Sequence, residues 1–216
     1  METKFEIVPV PTRILTHHDD IVEAIVEYGG DKIGPDDVVC VAESVVAITQ
    51  GGAKRSEDFK PGLLAKVLCR LFPSKGSISG WHSMQALIDA EGGMRVLIAV
   101  ICGFAAKCVG VSGVFYRMAG EQARLIDDVT GTMPPYDKHI VYGPHNPSKV
   151  AEEITSGTGA FGAAVADVND LKRSCVLGVS KGVNVVELAL SLIDNPFGNG
   201  SQKTPVVVIK NYRRAR

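Results

Sequence analysis

Three short runs of β-branched and small apolar residues, Val38–Ala42, Ala163–Val168 and Pro205–Ile209, lie far apart in the chain and constrain its fold more than any other feature. Each has strand length and is bounded by Gly, Pro, Asn or Asp, so each reads as a strand. Ile7–Val10 adds an edge strand, because Pro9 and Pro11 remove donors and fix the backbone. Cys175–Val179 adds a buried one, and Val45–Thr49 reads as a second β-branched run, parted from Val38–Ala42 by Glu43-Ser44 and closed by Gly51-Gly52. Helical signals fall between these runs. Asp20 with Glu23 makes a capping-box pattern ahead of Ile21–Val26, with Gly29 as the stop. Pro61 opens a segment through Leu71, Ser83 caps one through Ala90, Asn146-Pro147 starts one carrying Val150, Ala151 and Ile154, and Val183–Ile193 ends at Asn195-Pro196. The elements interleave without a βαβ rhythm or a repeat, which predicts an α+β fold of mixed sheets with packed helices. Residues 1–216 are expected to form a single domain, or two intertwined subdomains.

Charge and composition exclude several classes. Lys plus Arg number 23 against 24 Asp plus Glu, a formal charge of −1, so no surface is built to neutralise a nucleic-acid backbone. The basic end, Lys210 to Arg216, is expected to be a frayed, solvated tail. Five cysteines without a C-x-x-C pair argue against a disulfide framework or structural zinc. The N-terminus has no apolar signal core, which together with the cysteine usage predicts a cytoplasmic protein. Val96–Ala106 is apolar throughout but far short of the roughly 20 residues a bilayer span needs, so it reads as a buried strand or core helix. An apolar stretch of this kind, if not wholly core, is expected to be covered in a homodimer.

Chemistry concentrates in loops. Gly157–Gly162 matches G-x-G-x-x-G, but a helix precedes it and a strand follows, the reverse of a dinucleotide site, so it reads as a turn. No P-loop occurs. The segment Ile126-Asp127-Asp128-Val129-Thr130-Gly131-Thr132 ahead of Pro134-Pro135 presents paired carboxylates on a stiffened loop, equally readable as a hard-oxygen Mg or Mn site or as a solvated turn. Asp167-Val168-Asn169-Asp170 places a second acidic loop at a strand end, which favours the metal reading. A third polar loop, Asp194 to Pro205, carries Gln202 and Lys203, which suit phosphate oxygens, and glycines that permit close approach.

The order of these elements resembles the coenzyme F-420 gamma-glutamyl ligases and their wider set of homologues. The resemblance rests on Val8-Pro9-Val10 with Asp19-Asp20, on Val38 to Ser44 through Gln50-Gly51, on Ile126-Asp127, on Asp167-Val168-Asn169, and on Gly198-Asn199-Gly200 before Thr204 to Val208. It implies a homodimeric α+β ligase that uses GTP or ATP with Mg or Mn to activate a small carboxylate acceptor as an acyl phosphate. An amino acid, glutamate foremost, then takes the acyl group as an amide. By the same resemblance Asp127, Asp167 and Asn199 fall at metal positions, Asn199 in place of a glutamate. Pro11, Thr12, Arg13, Ile14, Glu43, Ser44, Thr130, Gly198, Gly200, Ser201, Gln202 and Lys203 fall at nucleotide positions. Ile48 stands where the family pattern places a lysine, with Arg13, Lys172 and Lys203 as substitutes for its charge, and Val168 stands where it places a threonine. Residues 55–120 show little of the pattern, and substrate choice is expected there. A non-catalytic nucleotide- or phosphate-binding protein and a metal-dependent phosphohydrolase are the alternative functions.

Overall fold

The computed structural model describes residues 5–73, 77–127, 134–198 and 202–215. Its strands are β1 (Ile7–Val10), β2 (Val38–Ala42), β3 (Ala53–Arg55), β4 (His139–Val141), β5 (Gly162–Asn169), β6 (Arg173–Val179) and β7 (Val206–Ile209). Its α-helices are α1 (Ile21–Gly29), α2 (Glu43–Thr49), α3 (Leu63–Leu68), α4 (Trp81–Glu91), α5 (Gly93–Cys108), α6 (Val114–Met118), α7 (Gln122–Leu125), α8 (Pro147–Thr158) and α9 (Val185–Ser191). The fold is α+β. Two compact units divide the chain, one made of Met1–Gly51 with Pro144–Arg216 and the other of Gly52–Gly143.

The first unit is built on a five-stranded sheet in the order β1-β7-β2-β5-β6. β7 runs antiparallel to both β1 and β2, β2 and β5 are parallel, and β6 closes the sheet antiparallel to β5. Helices cover both faces, which explains the continuous apolar reading of the central strands. Val39, Val41, Ala163, Val165, Val206 and Val208 pack on one side against Ile21, Ile25, Val150 and Ile154 of α1 and α8. Val38, Cys40, Ala164, Ala166, Val207 and Ile209 pack on the other against Leu188, Leu192, Phe197 and Tyr212. The Cys40 thiol is wholly buried and pushed up from its ordinary pKa by that burial, so it serves as packing.

Local signals act as expected at several ends. The Asp20 carboxylate accepts from the Val22 and Glu23 N–H groups (2.8 and 3.0 Å) and starts α1. Pro147 opens α8, and Gly159 ends it in the left-handed region. The Gly157–Gly162 segment joins α8 to β5, a turn as its context predicts.

Four expectations are overturned. α4 starts at Trp81 after Gly80, so Ser83 lies inside it and does not cap it, and β6 is an edge strand with Cys175 exposed, not a buried one. Val45–Thr49 lies in helix α2, although its β-branched residues favour a strand. Both ladders of β2 are already taken by β7 and β5, so a further run leaving its end finds no strand partner, and a helix satisfies its own backbone. The tail is not frayed through residue 215. Lys210 pairs with Asp37, Arg214 with Asp36, the Arg213 N–H donates to the Asp36 carbonyl (3.0 Å), and Tyr212 is fully buried against Phe5.

The second unit is helical, with a two-stranded antiparallel sheet of β3 and β4, strands far apart in the chain. Its core holds Leu68, Met84, Leu87, Val96, Val100, Phe115, Ile126 and Ile140. Val96–Ala106 lies within α5, which buries Val96, Ala99 and Val100 and leaves Ile98, Ile101 and Phe104 exposed. Among the described residues no helix is long and apolar enough to cross a membrane.

Candidate functional site

Sheet direction decides which loops meet. β1, β2 and β5 point the same way, so their carboxyl ends, together with the loop entering β7, share one end of the five-stranded sheet. The registers Val10↔Val206, Val41↔Val206 and Ala42↔Ala166 fix this alignment. Pro11–Ile14 follows β1, Glu43-Ser44 follows β2, Asp167–Asn169 ends β5, and Gln202–Pro205 leads into β7. Carboxyl ends of strands are where rigid sheets commonly hold binding loops.

The loops are tied to one another through backbone groups. The Thr12 N–H donates to the Lys203 carbonyl (2.8 Å), and the Ala42 N–H donates to the Pro205 carbonyl (2.9 Å). The Thr204 hydroxyl donates to the Phe197 carbonyl (2.6 Å) and closes the base of the last loop. Gly198 has φ 67°, a left-handed conformation that glycine adopts without strain. Thr12 is buried, with its hydroxyl donating to the Arg13 carbonyl (2.7 Å). Ile14 is exposed, Glu43 is buried at the first residue of α2, and Ser44 is partly buried.

Side-chain pairing reassigns the cations proposed to stand in for the lysine. Arg13 is held by Asp19, whose carboxylate also accepts from the Thr16 N–H (2.7 Å) and hydroxyl (3.0 Å). Arg13 and the Thr16 N–H hold the Asp19 carboxyl well below the usual range. Lys172 pairs with Asp194, and the Asn195 amide donates to Asp170 (2.6 Å), so the β5–β6 turn is laced to the segment after α9. Both cations are therefore engaged, and Lys203 is exposed with no carboxylate partner among the described residues. Ile48 is buried in α2, and the neighbouring Gln50 brackets His145 by accepting its N–H (2.7 Å) and donating to its carbonyl (3.0 Å). Sequence reading missed this set of ties; the clustering of Asn, Asp and Lys about the β5–β6 turn was its available signal.

For the metal, the structure places Asp167 at the exposed end of β5, opposite Cys175, just beyond a bulge in the β5–β6 ladder. Partial withdrawal from water raises its carboxyl above the ordinary range. Asp127 lies in the other unit, where its N–H and carbonyl pair with Val141 (2.9 and 3.1 Å). Thr130, Asn199, Gly200 and Ser201 lie outside the described residues. Among the described residues no three His, Cys, Asp or Glu side chains form a group that could hold a metal ion. The carboxylate oxygens of Asp127 and Asp167 are of the hard type that suits Mg or Mn, and the raised Asp167 carboxyl is one that a cation would stabilise.

A family model described as F420-0:Gamma-glutamyl ligase matches residues 9–166. The chain belongs to that family. The match takes in Pro11–Ile14, Glu43-Ser44 and Asp127, runs through residues 55–120, and ends one residue before Asp167. No curated protein matches the chain. Family membership makes the chain a member of a ligase family and agrees with the α+β architecture.

Proposed function

We propose that the chain is a nucleotide- and divalent-metal-dependent amide ligase, joining an amino acid, glutamate foremost, to a small carboxylate acceptor through an acyl phosphate. The observation that carries this reading is the assembly, in a member of a ligase family, of four separate loops at one end of the sheet. In the first step an acceptor carboxylate oxygen attacks the terminal phosphorus of GTP or ATP, and the nucleoside diphosphate leaves with the bridging oxygen. In the second the amine nitrogen attacks the acyl carbon, phosphate departs, and the nitrogen gives up its proton.

The residues of this chain act in these steps by holding and shielding the reacting groups. Lys203 and Gln202 stand to contact phosphate oxygens, and the Pro11–Ile14 and Glu43-Ser44 segments form the walls beside them. Asp127 and Asp167, with the Asn199 side-chain oxygen, would hold Mg or Mn, which when bound neutralises charge on the phosphoryl group. The proposed assembly is a homodimer, in keeping with the exposed apolar face of α5.

The buried, apolar Ile48 and the engagement of Arg13 and Lys172 favour a second reading, a protein that binds nucleotide without ligating. Hydroxylamine separates the two. Incubated with nucleotide, Mn and a panel of carboxylic acids, the ligase yields a hydroxamate together with nucleoside diphosphate. Tight nucleotide binding with no hydroxamate supports the second reading, and diphosphate release with water alone identifies a phosphohydrolase.

A further inference from the structure

The unit Gly52–Gly143 contains a pocket of about 410 Å³ that none of the foregoing functions uses. Ser77, Ile78, Gly113, Tyr116, Ala123 and Arg124 line it. Ile78 and Ala123 are buried and form an apolar floor. The Tyr116 ring, packed edge-on against Phe115 with centroids 5.1 Å apart, makes a half-exposed wall. Gly113, at φ 78°, enters α6 without a side chain to crowd the rim. Arg124 supplies the charge. Arg124 is exposed and, like Arg70, Arg117, Arg173 and Arg213 but unlike Arg13, Arg55, Arg95 and Arg214, has no carboxylate partner among the described residues, so its charge is open to a ligand.

A guanidinium with serine and tyrosine among the lining residues, an apolar floor and an aromatic wall, matches a carboxylate carried on a short aliphatic stem. Position along the chain adds a constraint. Arg124 lies in the last turn of α7, three residues before Asp127, and three residues span at most about 11 Å even when fully extended. The pocket's cation is therefore tethered close to a candidate metal ligand. An amino acid that attacks through its amine keeps a carboxylate that does not react, and a charged anchor at this remove orients the amine.

We propose that this pocket is the subsite for the non-reacting carboxylate of a small aliphatic acid, in the ligation the incoming amino acid, with Arg124 as its specificity-determining residue. The role in ligation rests on the ligase reading; the binding site itself does not. Arg124 is exposed, so Arg124→Gln keeps the fold, which circular dichroism verifies. L-glutamate and glutarate are titrated into the full chain by calorimetry without nucleotide. Both are expected to bind saturably, at least about tenfold more weakly to R124Q, with partial recovery in R124K. Dimethyl glutarate is expected to show no dependence on Arg124. In the ligation assay R124Q should raise the KM of one substrate about tenfold with a smaller change in kcat. A shift in the amino-acid KM assigns the carboxylate to the amino acid, and a shift in the acceptor KM assigns it to the acceptor. Equal binding to wild type and R124Q, or no saturable binding to wild type, overturns the proposal. Arg124-dependent binding without any ligation keeps the pocket and removes the ligase reading, whereas normal ligation with both KM values unchanged in R124Q does the reverse.

Discussion

Asp37 ties several separate segments of the first unit together. Its carboxylate accepts from the Gly34 N–H (2.8 Å), the Asn211 N–H (2.7 Å) and the Lys210 ammonium, and its carbonyl accepts from the Phe161 N–H (2.9 Å). Burial opposes its charge, but Lys210 and the two N–H donors outweigh that and hold the carboxyl below its ordinary range. The native group thus binds its proton less readily than the unfolded one, near pKa 3.9, and its stabilisation is complete above that pH and lost as pH falls through the native value. Asp37→Asn is expected to cost about 3 kcal/mol at pH 7, because it leaves Lys210 without its partner. Urea unfolding across pH should show the difference narrowing below about pH 4; a constant difference would contradict the assignment. Asp167 has the opposite sign. Its raised carboxyl favours the protonated form in the folded state, so its contribution is full below about pH 3.9 and fades as pH rises through the native value. In metal-free protein at pH 7, Asp167→Asn should therefore leave Tm unchanged or slightly raised. Adding Mn should raise the Tm of wild type and not that of the variant, and equal shifts would remove Asp167 from the metal site.

Among the elements, the approach of α8 to β6 depends on an absent side chain. A Cβ at Gly178 would lie 2.3 Å from the Ser148 nitrogen and 2.4 Å from the Pro147 carbonyl carbon, both backbone atoms that cannot swing aside. Gly178→Ala is expected to cost about 1–3 kcal/mol, read from the urea midpoint. A wild-type midpoint would mean that the α8 start is not held where the structure places it. Element identity was legible wherever a local signal agreed with the surroundings. Asp20 capped α1 and Pro147 opened α8 because those devices act within one turn of helix. α2 was not legible, since Val45, Val46, Ile48 and Thr49 favour strand and only the filled ladders on both sides of β2 override them. The docked Lys210–Ala215 segment was equally hidden, because its partners Asp36 and Asp37 lie far back in the chain.

For the molecule as a whole, α5 presents Met94, Ile98, Ile101 and Phe104, exposed residues spaced so that they share one helix face. Met94 and Phe104 are 70% and 68% exposed. A surface of this kind needs a cover, and the proposed homodimer provides one through a self-complementary contact. Phe104→Arg is expected to convert dimer to monomer in light scattering at micromolar concentration while far-ultraviolet circular dichroism stays unchanged. A wild type that scatters as a monomer would exclude the α5 interface.

By itself the sequence determined the strands of the five-stranded sheet, the starts of α1 and α8, the α+β class and the family, since those depend on residue type at short range and on the order of motifs. It also pointed to the Asp127 and Asp167 loops, because carboxylates at the ends of apolar runs are visible without knowing the pairing. Tertiary structure alone decided that β7 enters between β1 and β2. That insertion brings the end of the chain beside its beginning, and places the Pro11–Ile14 and Gln202–Pro205 segments at one sheet end. The physical reason is range: propensity and capping act over a few residues, whereas strand pairing and ion pairing join residues the chain separates widely.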